Sequence, residues 1–232
     1  MILIKSHMLI FVDNSQGGDS NVAPEAAENT LEQTPDVLPP YDSDHDLRKE
    51  LPRVSVIDGL VDFYFEYCNW LYRFVNHPTF MAGWTRYKSG AAADRTVLAT
   101  MCMIMAVAVH ILPADHELLR SLAPDIEELG AHYYSIMRLA LQRKQTESRT
   151  YSVELVELLL IRCHYFLVTK TDGEEAWHVK GELITIGMAM GLHRDPGRQM
   201  PSAVAERRRW AWWNIIMIER YVMEEYIHTI GF

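Results

Sequence analysis

Residues 174–220, EEAWHVKGELITIGMAMGLHRDPGRQMPSAVAERRRWAWWNIIMIER, constrain the fold more than any other stretch of this chain. They read as a helix, a glycine stop, a proline-bounded loop, and a second helix opening with three arginines and three tryptophans. Gly181, Gly187 and Gly191 thin one side of the first helix, and Gly191 sits where a left-handed helix cap belongs. Pro196 and Pro201 bound the loop, and Ser202 is the expected N-cap of the next helix, with Glu206 suited to its first turn.

The rest of the body is built from the same signals. Before Pro78, the polar residues Asp62, Glu66, Asn69, Arg73 and Asn76 recur at helical spacing, so one continuous helix is expected with a narrow polar stripe. Leu60, Tyr64, Tyr67, Leu71 and Phe74 form one apolar row, and Val61, Phe65, Cys68, Tyr72 and Val75 form another, which predicts cover on most sides. Pro78 is expected to end it. A short helix over residues 79–88, a helix capped by Asp94 and stopped at Pro113, a turn or two over 115–122, and helices capped by Asp125 and Ser152 complete the series. No stretch alternates as a strand does. The expected fold is all-α: a multi-helix bundle or superhelical array of antiparallel helix pairs.

Charge divides the chain into two parts. Residues 1–50 hold ten acidic side chains against three basic ones, accounting for −7 of the net −9, so the body is close to neutral. The first fifty residues therefore read as a disordered acidic tail or linker, and residues 51–232 as the folded domain. A near-neutral body argues against a surface built to embrace nucleic acid. The longest apolar run, residues 97–112, is too short for a bilayer span of about 20 residues, and no membrane partner is expected.

Cys68, Cys102 and Cys163 lie in apolar runs without C-x-x-C spacing, and read as buried thiols rather than zinc ligands. No metal or cofactor is expected in this chain. The histidines are dispersed, and the acidic pairs Glu127-Glu128, Glu174-Glu175 and Glu224-Glu225 read as solvated surface. No catalytic residues are assigned, and the chain is not read as an enzyme. Arg207, Arg208 and Arg209 point about 100° apart around a helix, so they cannot form one phosphate-reading face. They read as a structural latch, with arginine stems laid on Trp210, Trp212 and Trp213. Trp177, Trp213, Cys163 and Leu183 are expected to be buried.

Three segments, in this order, resemble the fungal-specific transcription factor domain, the middle homology region of fungal zinc-cluster transcription factors. They are LVDFYFEYCNWLYRFVNHPTF with its His-Pro-x-Phe turn (His77, Pro78, Phe80), the helix ending in Gly191, Leu192, His193, Arg194 and Asp195, and ERRRWAWWNIIMIER with Arg208, Arg209, Trp212, Trp213 and Arg220. The resemblance covers about residues 51–225 and marks these positions as structural signatures. It implies a regulatory domain controlling transcription in a fungal nucleus, acting on transcription machinery or regulatory proteins, with homodimerisation allowed. DNA would be reached only indirectly or through the family's N-terminal six-cysteine zinc cluster; residues 1–50 contain no cysteine and cannot build it. The chain is read as a middle region cut at its C-terminal side. Two other readings stay open: a helical scaffold subunit of a nuclear DNA-associated complex, and a helical small-molecule enzyme.

Overall fold

The computed structural model describes Asp36, Leu38, residues 43–120, Leu122 and residues 125–170, 173–197 and 199–230, with the backbone alone at Leu71 and 221–230. Its elements are α1 (His45–Lys49), α2 (Val54–Phe63), a π-helical turn (Tyr64–Cys68), α3 (Asn69–Tyr72), α4 (His77–Lys88), α5 (Arg95–Ile111), α6 (Glu117–Arg120), α7 (Ile126–Glu147), α8 (Val153–Thr169), α9 (Gly173–Ala189) and α10 (Ser202–Ile230). The chain is all-α, with no strand among the described residues.

Helix starts coincide with side chains able to take up orphan amides. Asp94 accepts from the Thr96 N–H at 2.8 Å, Asp125 from the Glu128 N–H at 3.0 Å, and Ser152 from the Leu155 N–H at 3.2 Å. α9 ends in a Schellman motif. Gly191 adopts φ +67°, the Leu192 N–H reaches back to the Gly187 carbonyl at 2.9 Å, and the Gly191 N–H reaches that of Met188 at 3.0 Å. Helix α10 includes Ser202 as its first residue, one position inside the expected cap.

Helix α5 is the axis of the core. Every residue from 98 to 109 is buried, which is why that run carries no polar stripe. Helices α2, α4, α7 and α8 pack on it, and α8 in turn carries α9 and α10. The run from Val156 to Phe166 in α8 is also buried throughout. Cys68, Cys102 and Cys163 are free and buried.

Four local expectations are corrected. The helix expected to run unbroken to Pro78 instead passes through a π turn and stops at Tyr72, where Arg73 takes a left-handed conformation (φ 48°, ψ 45°). Asn69 stabilises that stop: its amide donates to the Val75 carbonyl at 3.0 Å and its oxygen accepts the Val75 N–H at 3.2 Å. Pro78 then lies in the first turn of α4, where a missing N–H costs nothing, and Asn76 caps that helix. Within the π turn Tyr67 is 56% exposed rather than covered, and Trp70 just beyond it is 65% exposed.

The tail boundary also moves. Residues 45–49 form α1 against α7, and Asp44, 2% exposed, is gripped by Arg95 Nε at 2.9 and 3.0 Å and by Arg143 at 3.1 Å. A composition window averages such a residue into its acidic surroundings. The rest of the expected acidic tail, apart from Asp36 and Leu38, lies outside the described residues up to residue 42. Glu175 is not solvated surface either. It accepts from Tyr134 Oη at 2.6 Å and pairs with Arg162, whose Nε also donates to Tyr134 Oη at 2.8 Å. Glu224 and Glu225 have no described side chains. Gly181 faces open space, so of the glycines inside α9 it is Gly187 that makes room: a Cβ there would come within 2.7 Å of Ile215 Cδ1.

Candidate functional site

Two arrangements meet on α10. The inner one is the arginine latch. Arg207 binds Glu157 through Nε at 2.7 Å and Nη2 at 2.9 Å, and Glu154 through Nη1 at 2.7 Å. Arg208 donates to the Met190 carbonyl at 2.7 Å, satisfying one of the orphan acceptors at the end of α9. Arg209 reaches Asp195 at 3.0 Å in the loop, and that contact holds the Asp195 carboxyl below its ordinary value. Burial pushes the Glu157 carboxyl upward, with Arg207 opposing it. Burial also works against charge on Arg207, yet Glu157 and Glu154 together hold it firmly protonated. All three arginines are thus engaged within the chain.

The remaining signature residues divide between latch and turn. Leu192 is buried, the His193 ring lies tilted at 59° with its centroid 5.8 Å from that of Trp212 and accepts from Arg194 Nε at 3.2 Å, and Trp212 lies half-buried over Gly187. His77 and Pro78 are exposed at the start of α4, while Phe80 is buried against Phe65. Arg220 is exposed on α10. The expectation for Trp213 is overturned: it is 66% exposed. At 100° per residue it lies about 200° around the helix from Ala211, the position that faces the core. Cys163 and Leu183 are buried as expected, and Trp177 is half-buried with Lys180 Nζ 3.5 Å from its ring centroid. The expected stacking of Arg207–Arg209 on these tryptophans is replaced by a different pair, Arg73 over Trp210 at 5.6 Å.

The outer arrangement is a cleft of about 640 Å³ between the π turn, α3, the 73–78 segment and α10. Asp62, Glu66, Asn69, Arg73 and Asn76, the whole polar stripe read from the sequence, line it from one side. From α10 come Glu206, Arg207, Trp210 and Asn214, whose amide donates to the Arg73 carbonyl at 3.4 Å. Trp70 and Trp210 are both solvent-facing on its walls, and Trp213 lies three residues further along the α10 surface, which places it on the neighbouring face. Asp62, Glu66 and Glu206 are exposed there; of the two arginines in the lining, Arg207 is taken up by Glu154 and Glu157, and Arg73 is exposed over Trp210. The stripe's spacing could have revealed this wall, and it also sets Trp70, four residues after Glu66 and three before Arg73, beside the stripe.

Among the described residues no group of three or more His, Cys, Asp or Glu stands close enough to hold a metal ion, and no helix is long and apolar enough to cross a membrane.

Fold and site define an all-helical domain whose arginine–tryptophan segment is architecture and whose outer face is an aromatic-edged cleft. The chain belongs to the fungal specific transcription factor domain family, whose model matches residues 61–226. It is 26% identical over 192 residues to transcription factor FBD3 of Gibberella moniliformis, covering 82% of this chain and 24% of that protein. It is 28% identical over 173 residues to transcription factor FBD3 of Fusarium pseudograminearum, covering 73% of this chain and 21% of that protein. A shorter match, 33% over 70 residues, reaches cutinase transcription factor 1 beta of Fusarium vanettenii, with 29% and 8% covered. The chain thus spans about a quarter of the length of the FBD3 proteins, and no solved structure matches it significantly.

Proposed function

We propose that this chain is the regulatory body of a fungal zinc-cluster-type transcription regulator, acting in the nucleus through protein contacts rather than by reading DNA itself. One observation carries the reading: Arg207, Arg208 and Arg209 are engaged internally, while Trp70, Trp210 and Trp213 stand exposed on and beside an acidic cleft. Exposed tryptophans are the residues that dominate protein interfaces, and acidic surroundings repel phosphate. Family membership supports the transcriptional context. The partner that fits is a protein segment presenting arginine or lysine among apolar residues, because Arg73 already lies over Trp210 with Asp62, Glu66 and Glu206 lining the same cleft.

The test tethers the full chain to a reporter promoter through an unrelated DNA-binding domain. Reporter output should change, and a Trp70→Ala/Trp210→Ala double variant with unaltered circular dichroism should lose the effect. In gel shifts the untethered chain should show only weak, salt-erased DNA binding. Sequence-specific binding at physiological salt would overturn the reading. Residence in a stable multi-subunit complex with no effect on transcription would favour a scaffold role instead.

A further inference from the structure

Behind the cleft lies a second, smaller cavity of about 340 Å³, between the C-terminal half of α8, α10 and the end of α3. Its walls are Tyr72, Phe74, Leu167, Val168, Met217 and Ile218, with exposed Lys170 at the edge. Besides Tyr72 and Lys170, which also carry polar groups, one buried polar side chain is set into the lining: His164, 9% exposed, with its ring 5.6 Å from that of Tyr72 and 5.3 Å from that of Phe74. Its Nδ1 is buried and has no hydrogen-bond partner among the described residues. Burial also lowers the imidazole to about 4, so it is neutral near pH 7 and offers one donor and one acceptor.

A chamber walled mainly by apolar side chains with a neutral imidazole among them, at the small end of the range of about 300–1,000 Å³ for ligand sites, has the make-up of a ligand pocket. We propose that this cavity binds a small apolar molecule carrying one uncharged hydroxyl group, of the phenol class, whose ring packs between Phe74 and Ile218 and whose hydroxyl pairs with His164. Phe74, 2% exposed, is a wall of both this cavity and the outer cleft. An occupant that holds Phe74 in place therefore steadies the segment carrying Arg73 and Asn76. That such an occupant regulates partner docking rests on the function proposed above; the binding itself does not.

The experiment titrates the purified full chain with para-tert-butylphenol and, separately, with tert-butylbenzene, which has the same apolar body without the hydroxyl. Calorimetry should show saturable one-to-one binding of the phenol, and the His164 ring nitrogens should shift in the NMR spectrum as it fills. His164→Leu should weaken phenol binding by roughly tenfold, the loss expected for one hydrogen bond, while leaving tert-butylbenzene affinity unchanged. Val168→Phe, which occupies the chamber, should remove binding of both. Equal phenol affinity in the native chain and His164→Leu, or no saturable binding because water alone fills the cavity, would overturn the proposal. Because none of these readouts uses transcription, a failed reporter assay and an empty cavity are separate results.

Discussion

The α5–α8 core and the α10 rim are both rich in large apolar side chains, yet they use them differently. Along α5 and α8, successive positions are buried on every side, and neighbours in sequence share one fate. On α10 neighbours diverge: Trp212 rests on Gly187 while Trp213, one residue on, faces solvent. The core is held by area removed from water, the rim by directed polar bonds such as Arg207 to Glu157 and Arg208 to the end of α9. The interior holds charged groups such as Glu157 and Arg162 in pairs with opposite charges, whereas a rim can be stable and still leave aromatic surface for another molecule.

Substitutions of decreasing weight probe that difference. Leu158→Ala, at a fully buried position of α8, should cost about 2–5 kcal/mol by urea unfolding. Arg207→Ala should cost about 3 kcal/mol, because Glu157 is left buried without its cation. The double variant Glu157→Leu/Arg207→Leu should recover most of that loss; if it does not, the latch contributes more than mutual charge neutralisation.

Acid should act through His164. Above pH 6.5 the ring is neutral in both folded and unfolded chains; as pH falls toward about 4 the unfolded chain takes up a proton that the native site refuses. Stability attributable to this ring therefore declines over that window, by at most about 3 kcal/mol. His164→Leu should flatten that part of a pH-dependent melting curve, and an unchanged slope would assign the acid sensitivity elsewhere. At the small end, Trp213→Ala should change stability by less than about 0.5 kcal/mol, as for other exposed positions. A loss comparable to that of Leu158→Ala would erase the distinction between core and rim.

Local chemistry was legible in the sequence wherever one residue suffices to determine the outcome. Asp94, Asp125 and Ser152 cap the helices they precede, and Gly191 takes the left-handed turn, because each acts within four residues of itself. The long apolar run likewise had to become the axis. What escaped was set from far away. Asp44 is invisible as a core residue until Arg95 and Arg143 arrive beside it, and Arg73 turns left-handed inside the loop that Asn69 closes on Val75. For the cleft, the polar stripe from Asp62 to Asn76 was readable as a stripe, but not as one wall of a groove whose other wall is α10.

The Asp44 clamp also bears on how the chain is made. Asp44 leaves the ribosome 99 residues before Arg143, its partner in α7. Until α7 has been synthesised and laid against α5, α1 has only part of its seat, and closing so long a loop is slow compared with local helix pairing. The first helix among the described residues is then among the last to dock. Residues 45–49 would remain open to proteases or chaperones during synthesis, and their protection would report completion of the α5–α7 core.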